Sequence, residues 1–325
     1  MALALGFVDA IGIFGTVLTT IGFAQSNWPS PSEQKGAVIR VKVGLQNTSD
    51  QDYGGRLAKI QGFDTHNSMI GEATPEEDIV SGDFADYTLE QSSGGTQAQY
   101  ITLVGTNGGM CISWITLKNL DGAFDSAWTG DIGKSCGRSW NFGDQVAGRD
   151  PNGNPYKPSC TWIDADHTDN INTGAMKIDF AAYGAQLNDT INNNKTCTKT
   201  IYSFDANKID DVPSQKKRRS NIGRDRAEWM NDIIQISDFP ADNATELCLS
   251  ETSYGTDAIG SDGFYCNMRT RELIPTCKLK QVEGCIEVDE ENKVITKNTT
   301  VAKRSVKQAY NTYKQMRHFS TSKAT

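Results

Sequence analysis

The chain has only three histidines, no Cys-x-x-Cys pair and no excess of basic residues, and each shortage removes a class of function. With His66, His167 and His318 the only imidazoles, a Ser-His or Cys-His catalytic set has few possible bases. The eight cysteines, at 111, 136, 160, 197, 248, 266, 277 and 285, lack the paired knuckles of a zinc site. Lysine and arginine number 32 against 40 acids, a net charge of -8. Binding by phosphate neutralisation needs a concentrated basic face, so nucleic acid is excluded as a partner.

What is present is enough for a packed protein. With 37% hydrophobic and 9% aromatic residues in 325, the chain can build a core, as one large domain or two ordinary ones. The even set Cys111, Cys136, Cys160, Cys197, Cys248, Cys266, Cys277 and Cys285 reads as disulfides. Five glycosylation sequons begin at Asn47, Asn188, Asn194, Asn243 and Asn298. Together they place the protein outside the cell, as a secreted, extracellular glycoprotein.

Residues 1–25 are apolar. Met1 to Ala24 carries one charge, Asp9, and ends on Gly22-Phe23-Ala24, a small-x-small pattern, but has no basic n-region. As a membrane span it is short and broken by four glycines. Three readings stand: an apolar helix packed on the protein or a sister subunit, a retained leader, or a membrane-inserting segment.

Behind a Pro-containing linker, Val38 to Leu45 alternates Ile39, Val41, Val43 and Leu45 with Arg40, Lys42 and Gly44, the period of a half-buried strand. Tyr100 to Val104, Met110 to Leu117, Cys160 to Ile163 and Met176 to Phe180 repeat that texture between turn residues. The expected fold is mainly β: an antiparallel β-sandwich over 36–205, with an N-terminal apolar helix and a small disulfide-rich C-terminal domain over 226–304. Trp114, Trp128, Trp140 and Trp162 fall in the sandwich region, three of them within four residues of a cysteine. They read as core packed on disulfides, with a carbohydrate-stacking surface as the alternative.

Between the domains, 206–225 holds Lys216-Lys217-Arg218-Arg219 before Ser220, and a second doublet, Lys303-Arg304, precedes Ser305. In a secreted chain such runs are substrates for a kexin-like protease, which needs extended, exposed sequence. Cutting after Arg219 and Arg304 leaves four cysteines in each of the first two pieces and none in the third, so each piece can close its own bridges. Arg226 to Ile236 suits a turn or two of helix. The tail 305–325 has four basic residues, no acid, and Val306, Tyr310, Tyr313 and Phe319 at near-helical spacing. It reads as a basic amphipathic segment that docks on the acidic body, lies on a membrane, or leaves as a peptide.

Three motifs bear on chemistry. Gly133-Lys134-Ser135-Cys136-Gly137 has the form of a nucleophile elbow, but its variable position is a disulfide cysteine and no helix follows. The overlapping Gly130 to Ser135 has two residues between glycines where a phosphate loop needs four. Asp164, Asp166, Thr168 and Asn170 place oxygen ligands on alternate residues after a strand, the spacing that can wrap Ca2+, although the sharp-turn glycine and closing glutamate of an EF-hand are missing. The same loop read as plain structure is a set of side chains capping a turn.

The segments ALGFVDAIGIFGTVLTTIGFAQ, AVIRVKVGL, SCGRSW, CTWIDADHTDNINTGAM, KKRR and LCLSETSYGTDAIGSDGFYCNMRTRELIPTC span nearly the whole chain, which resembles a family of secreted proteins of filamentous fungi. The resemblance implies a fungal precursor with its signal upstream of ALGFVDA, matured by a kexin-like protease. It carries no activity and no catalytic residues. The function expected first is therefore non-catalytic: an extracellular binding, effector or toxin-like module acting on a cell-surface ligand. A membrane-active or self-assembling protein, partnering itself or a membrane through residues 1–24, comes second. A glycan hydrolase using Asp164, Asp166 and Asp131 comes third.

Overall fold

The computed structural model describes residues 28–29, 36–44, 53–91, 96–120, 125–149, 153–168, 171–209, 226–301 and 304–320. The apolar segment 1–25, Asn47, Asn170, Arg219 and Ser220 lie outside the described residues. The chain divides into two compact units, Met1–Lys217 and Arg218–Thr325. Both are mainly β.

In the first unit the strands are β1 (Val38–Val43), β2 (Leu57–Phe63), β3 (Met69–Ala73), β4 (Phe84–Thr88), β5 (Glu90–Gln91), β6 (Tyr100–Gly105) and β7 (Met110–Lys118). They continue with β8 (Ser126–Thr129), β9 (Trp140–Asn141), β10 (Gly148–Arg149), β11 (Pro155–Tyr156), β12 (Cys160–Ile163), β13 (Ala175–Asp179) and β14 (Thr200–Ser203). One six-stranded sheet runs β4-β1-β7-β12-β9, with β8 also on β7. The other runs β14-β13-β6-β2-β3-β5, and β10 and β11 form a ribbon. The long β7 shares one edge: β12 pairs with Met110, Cys111 and Ile112, and β8 with Trp114 to Leu117. Two short helices, α1 (Gly130–Ser135) and α2 (Leu187–Asn192), complete the unit.

β1 departs from its expected half-burial. It lies between β4 and β7, and Arg40 on its polar side is 6% exposed. A buried guanidinium needs a partner, and Arg40 donates two hydrogen bonds to Asp86, at 2.6 and 2.7 Å, with Phe84 3.9 Å beneath it. All four tryptophans are buried, which settles them as core. The Trp162 ring, for example, lies 5.1 Å from that of Tyr53.

The second unit contains β15 (Ile233–Ser237), β16 (Asp257–Ile259), β17 (Phe264–Asn267), β18 (Glu272–Pro275), β19 (Ile286–Asp289), β20 (Val294–Val301), β21 (Arg304–Thr312), β22 (Gln315–Phe319) and the helix α3 (Ala244–Leu249). One sheet runs β18-β17-β16-β15-β22, the other β19-β20-β21. β15 pairs in parallel with both β16 and β22. The two sheets share one core: Ile234, Ile259, Tyr265 and Ile274 from the first meet Ile286 and Ile295 from the second, with Tyr313 beside them.

Two expectations are corrected here. Residues 226–236 form a 3-10 turn, Glu228–Asn231, followed by β15, because Ile233, Ile234 and Ile236 are β-branched and find a parallel partner on each side. In its described part, 305–320, the tail is not a helix or a separate docking piece. Its residues enter β21 and β22 and belong to the second unit, where long-range strand pairing outweighs the near-helical spacing.

Candidate functional site

Because β15, β16 and β22 run the same way, their carboxyl ends finish at one edge of the sheet. That edge is where open sheets with parallel strands bind ligands. Here it opens into a groove of about 800 Å³, reached by Ser237, Ile259 and Phe319 at the strand ends and walled by Ile286 to Val288 of β19. Its floor is apolar, with Ile286 and Phe319 buried, and Leu279 stands half exposed at the rim.

The polar groups around the groove fall into two sets. Those held by the fold include Asp262, whose carboxylate accepts from the amides of Ala244 and Thr245 at 3.2 and 3.0 Å and from Thr245 Oγ1 at 2.6 Å, which anchors the start of α3. Ser237 Oγ donates to Asp242 Oδ2 at 2.5 Å, and Ser261 Oγ to the Asp242 carbonyl at 3.2 Å. Facing outward are Asp238, Glu287, Glu290, Lys278 and His318. His318 Nε2 lies 3.8 Å from Glu290 Oε2, and Glu287 pairs with Lys307. Four carboxylates against Lys278, and Lys307 on Glu287, leave the groove acidic. The hydroxyls of Ser237 and Ser261 are engaged by Asp242, that of Ser320 by Asp238, and the histidine faces a carboxylate.

The second unit also holds a buried hydrogen-bond network centred on Asp257. Its carboxylate pairs with Arg226 at 2.9 Å, each side chain about 5% exposed or less. It also accepts from the Tyr313 and Tyr265 hydroxyls at 2.7 and 3.1 Å and from the Met268 amide at 2.9 Å. Asn311 Nδ2 donates to Tyr265 Oη at 2.7 Å. Burial first, and the neighbouring Asp257 second, push both tyrosines well above the ordinary phenol range.

The residues singled out from sequence scatter differently. Asp164 is fully buried at the end of β12, and its Oδ1 accepts from the Asp166 amide at 3.4 Å. Asp166 Oδ1 accepts from both the amide and hydroxyl of Thr168, at 3.1 and 3.0 Å. His167, at a φ of 59°, stacks on Phe204 at 3.7 Å. These are the contacts of a capped turn. Among the described residues no group of three His, Cys, Asp or Glu side chains is placed to hold a metal. Asp131 belongs to α1 and is spent on Tyr156 Oη and the Ser159 amide, at 2.7 and 3.0 Å. Ser135 Oγ donates to the Asp131 carbonyl at 2.7 Å, and Cys136 is bridged, so no nucleophile elbow forms.

The bridges are Cys111–Cys160, Cys136–Cys197, Cys248–Cys266 and Cys277–Cys285. No cysteine is free, and none of the bridges crosses from one unit to the other. Of the sequons, Asn188 and Asn194 are exposed and Asn243 and Asn298 half buried. Four disulfides fit an oxidising compartment. No helix among the described residues is long and apolar enough to cross a membrane.

No protein-family model matches the chain, and no curated protein is significantly similar to it. The groove and the Asp257 network carried no motif in the sequence. Their residues come from strand ends and loops far apart in sequence; Asp238 and Ser320, which share a hydrogen bond, are 82 positions apart.

Proposed function

We propose that this is a secreted, non-catalytic binding protein, of the fungal kind its sequence resembles, matured by dibasic cleavage and carrying its ligand site in the groove of the second unit. The observation that carries it is the disulfide pairing: each unit closes two bridges of its own on either side of Lys216-Lys217-Arg218-Arg219. A cut there severs no covalent link but the backbone. The first unit reads as a β-sandwich, supported by its two antiparallel sheets and by Ser126 Oγ of β8 donating to the Phe180 carbonyl just past β13, at 2.6 Å.

The groove suits a ligand with an apolar body and a cationic group, by its floor and its acidic rim. Intact mass measurement of the protein from its native medium, without reduction, tests the processing. Separate fragments, the first ending at Arg219, are expected; one uncut chain sinks it. For the ligand, titration with dodecyltrimethylammonium and dodecyl sulfate below their micelle concentrations should favour the cation. Leu279→Lys should weaken that binding about tenfold, and equal binding of the two amphiphiles would overturn the assignment.

A further inference from the structure

Val301 of β20 pairs with Arg304 of β21, so only residues 302 and 303 lie between the two strands in sequence, and the bond after Arg304 falls at the turn end of a hairpin. We infer that residues 305–325 stay in place after that bond is cut, so that the mature second unit is a non-covalent two-chain body whose short chain walls the ligand groove. This rests on the dibasic processing proposed above. The step is hydrolysis: the protease adds one water across the Arg304–Ser305 peptide bond, leaving a carboxylate on Arg304 and an ammonium on Ser305. Opening the end of the hairpin is enough to present it.

Nothing covalent then holds the short chain, since 305–325 contains no cysteine. Its retention follows from how it is built in. β21 pairs antiparallel with β20 back to Val294↔Thr312, and all of β22 pairs with β15. Tyr313 and Phe319 are buried, and Tyr310 and Met316 pack on the core. The Lys314 and Gln315 amides donate to the Asp232 carbonyl at 2.8 and 3.0 Å, and Asp238 N donates back to the Phe319 carbonyl at 3.1 Å. Departure would bare one edge of β15, take Tyr313 from Asp257, and open the unit's core. It amounts to unfolding the unit rather than releasing a tail.

The groove needs this chain. His318, Phe319 and Ser320 form one of its walls, and Ser320 Oγ holds Asp238 at 3.0 Å. Cutting therefore preserves the site and leaves its short wall held by packing and hydrogen bonds alone.

The test places a cleavage sequence for a site-specific protease between Ala302 and Lys303 in the full chain, so that the cut does not depend on the dibasic doublet. After cutting, native mass spectrometry should show one species heavier by a single water, while denaturing conditions give two. Affinity for dodecyltrimethylammonium should be unchanged. A short chain that separates on native sizing overturns the inference. In the cut protein, Tyr313→Ala should speed loss of the short chain by about tenfold or more, with the uncut variant as the folding control. An unchanged loss rate would also overturn it, because packing around Tyr313 is what retains the chain. Finding Arg304–Ser305 intact in the native medium defeats the processing proposal and leaves this test standing.

Discussion

In the first unit, Cys111–Cys160 and Cys136–Cys197 close loops of 49 and 61 residues, whereas Cys248–Cys266 and Cys277–Cys285 in the second close loops of 18 and 8. On the chain-entropy account the long bridges are worth about 4 kcal/mol each and the short ones about 3 and 2.5 kcal/mol. The first unit thus ties segments distant in sequence covalently. The second ties its distant parts through hydrogen bonds: Arg226 and Tyr313 lie 31 and 56 residues from Asp257 and meet there. A chain cross-linked only at short range depends on its buried polar groups for the long-range order that bridges supply elsewhere.

That contrast breaks most directly at Asp257. Asp257→Asn leaves Arg226 as an uncompensated buried charge, and the expected cost is about 3–5 kcal/mol. Urea unfolding followed separately for the two units should show the second losing that amount and the first unmoved. A loss under about 1 kcal/mol would mean that the network is not what holds the unit together.

Serine replacement of both Cys136 and Cys197 should cost the first unit about 4 kcal/mol, and of both Cys277 and Cys285 the second about 2.5 kcal/mol. Equal losses would remove loop length as the distinction. The even division of cysteines across the dibasic run was legible in the sequence because parity is a count. The pairing within each unit was not, since it depends on which strand ends the sheets bring together. Likewise the alternation in Val38 to Val43 and the run Met110 to Leu117 showed strands directly, while the burial of Arg40 required the neighbour Asp86, 46 residues away. Tyr310 and Tyr313 were misread because a spacing of three fits a helix turn as well as a half-buried position in β21 and a buried one between β21 and β22. Their partners lie on other strands: Asp257 of β16 and Tyr265 of β17 for Tyr313, Glu272 of β18 and Lys297 of β20 for Tyr310. The groove was illegible for the same reason: strand ends carry no motif.

Tyr313→Phe tests the network more gently. It removes one donor from Asp257 and should cost the second unit about 1–3 kcal/mol near neutral pH. The sign reverses its importance at high pH. Both Tyr313 and Tyr265 are held neutral in the fold, above the value of about 10 of an unfolded tyrosine. Above that value the unfolded chain binds fewer protons than the native one, so stability falls as pH rises. In the first unit burial likewise holds Tyr156, Tyr183 and Tyr202 above that value, and Tyr87 is pushed up to about 12 by burial and then by Glu77, so stability falls there with the same sign. Stability measured from pH 9 to 11 should decline in both units, and Tyr313→Phe should flatten the decline of the second unit alone. Parallel curves for variant and parent would place the alkaline loss elsewhere.

The smallest effect concerns helix ends. Asn243 caps α3 by accepting from the Glu246 amide at 2.9 Å, whereas neither α1 nor α2 has a side-chain cap, and α1 instead runs into the bridged Cys136. Asn243→Ala should therefore cost the second unit about 1 kcal/mol, while Gln186→Ala at the start of α2 should stay within about 0.5 kcal/mol. Asn243 is also a sequon, so the alanine would strip any glycan carried there along with the cap. Asn243→Asp separates the two, because it abolishes the sequon and keeps an oxygen to accept from Glu246. If the aspartate variant keeps parental stability while the alanine loses it, the second unit relies on local capping where the first relies on a bridge; if both lose it equally, the glycan is what stabilises that corner.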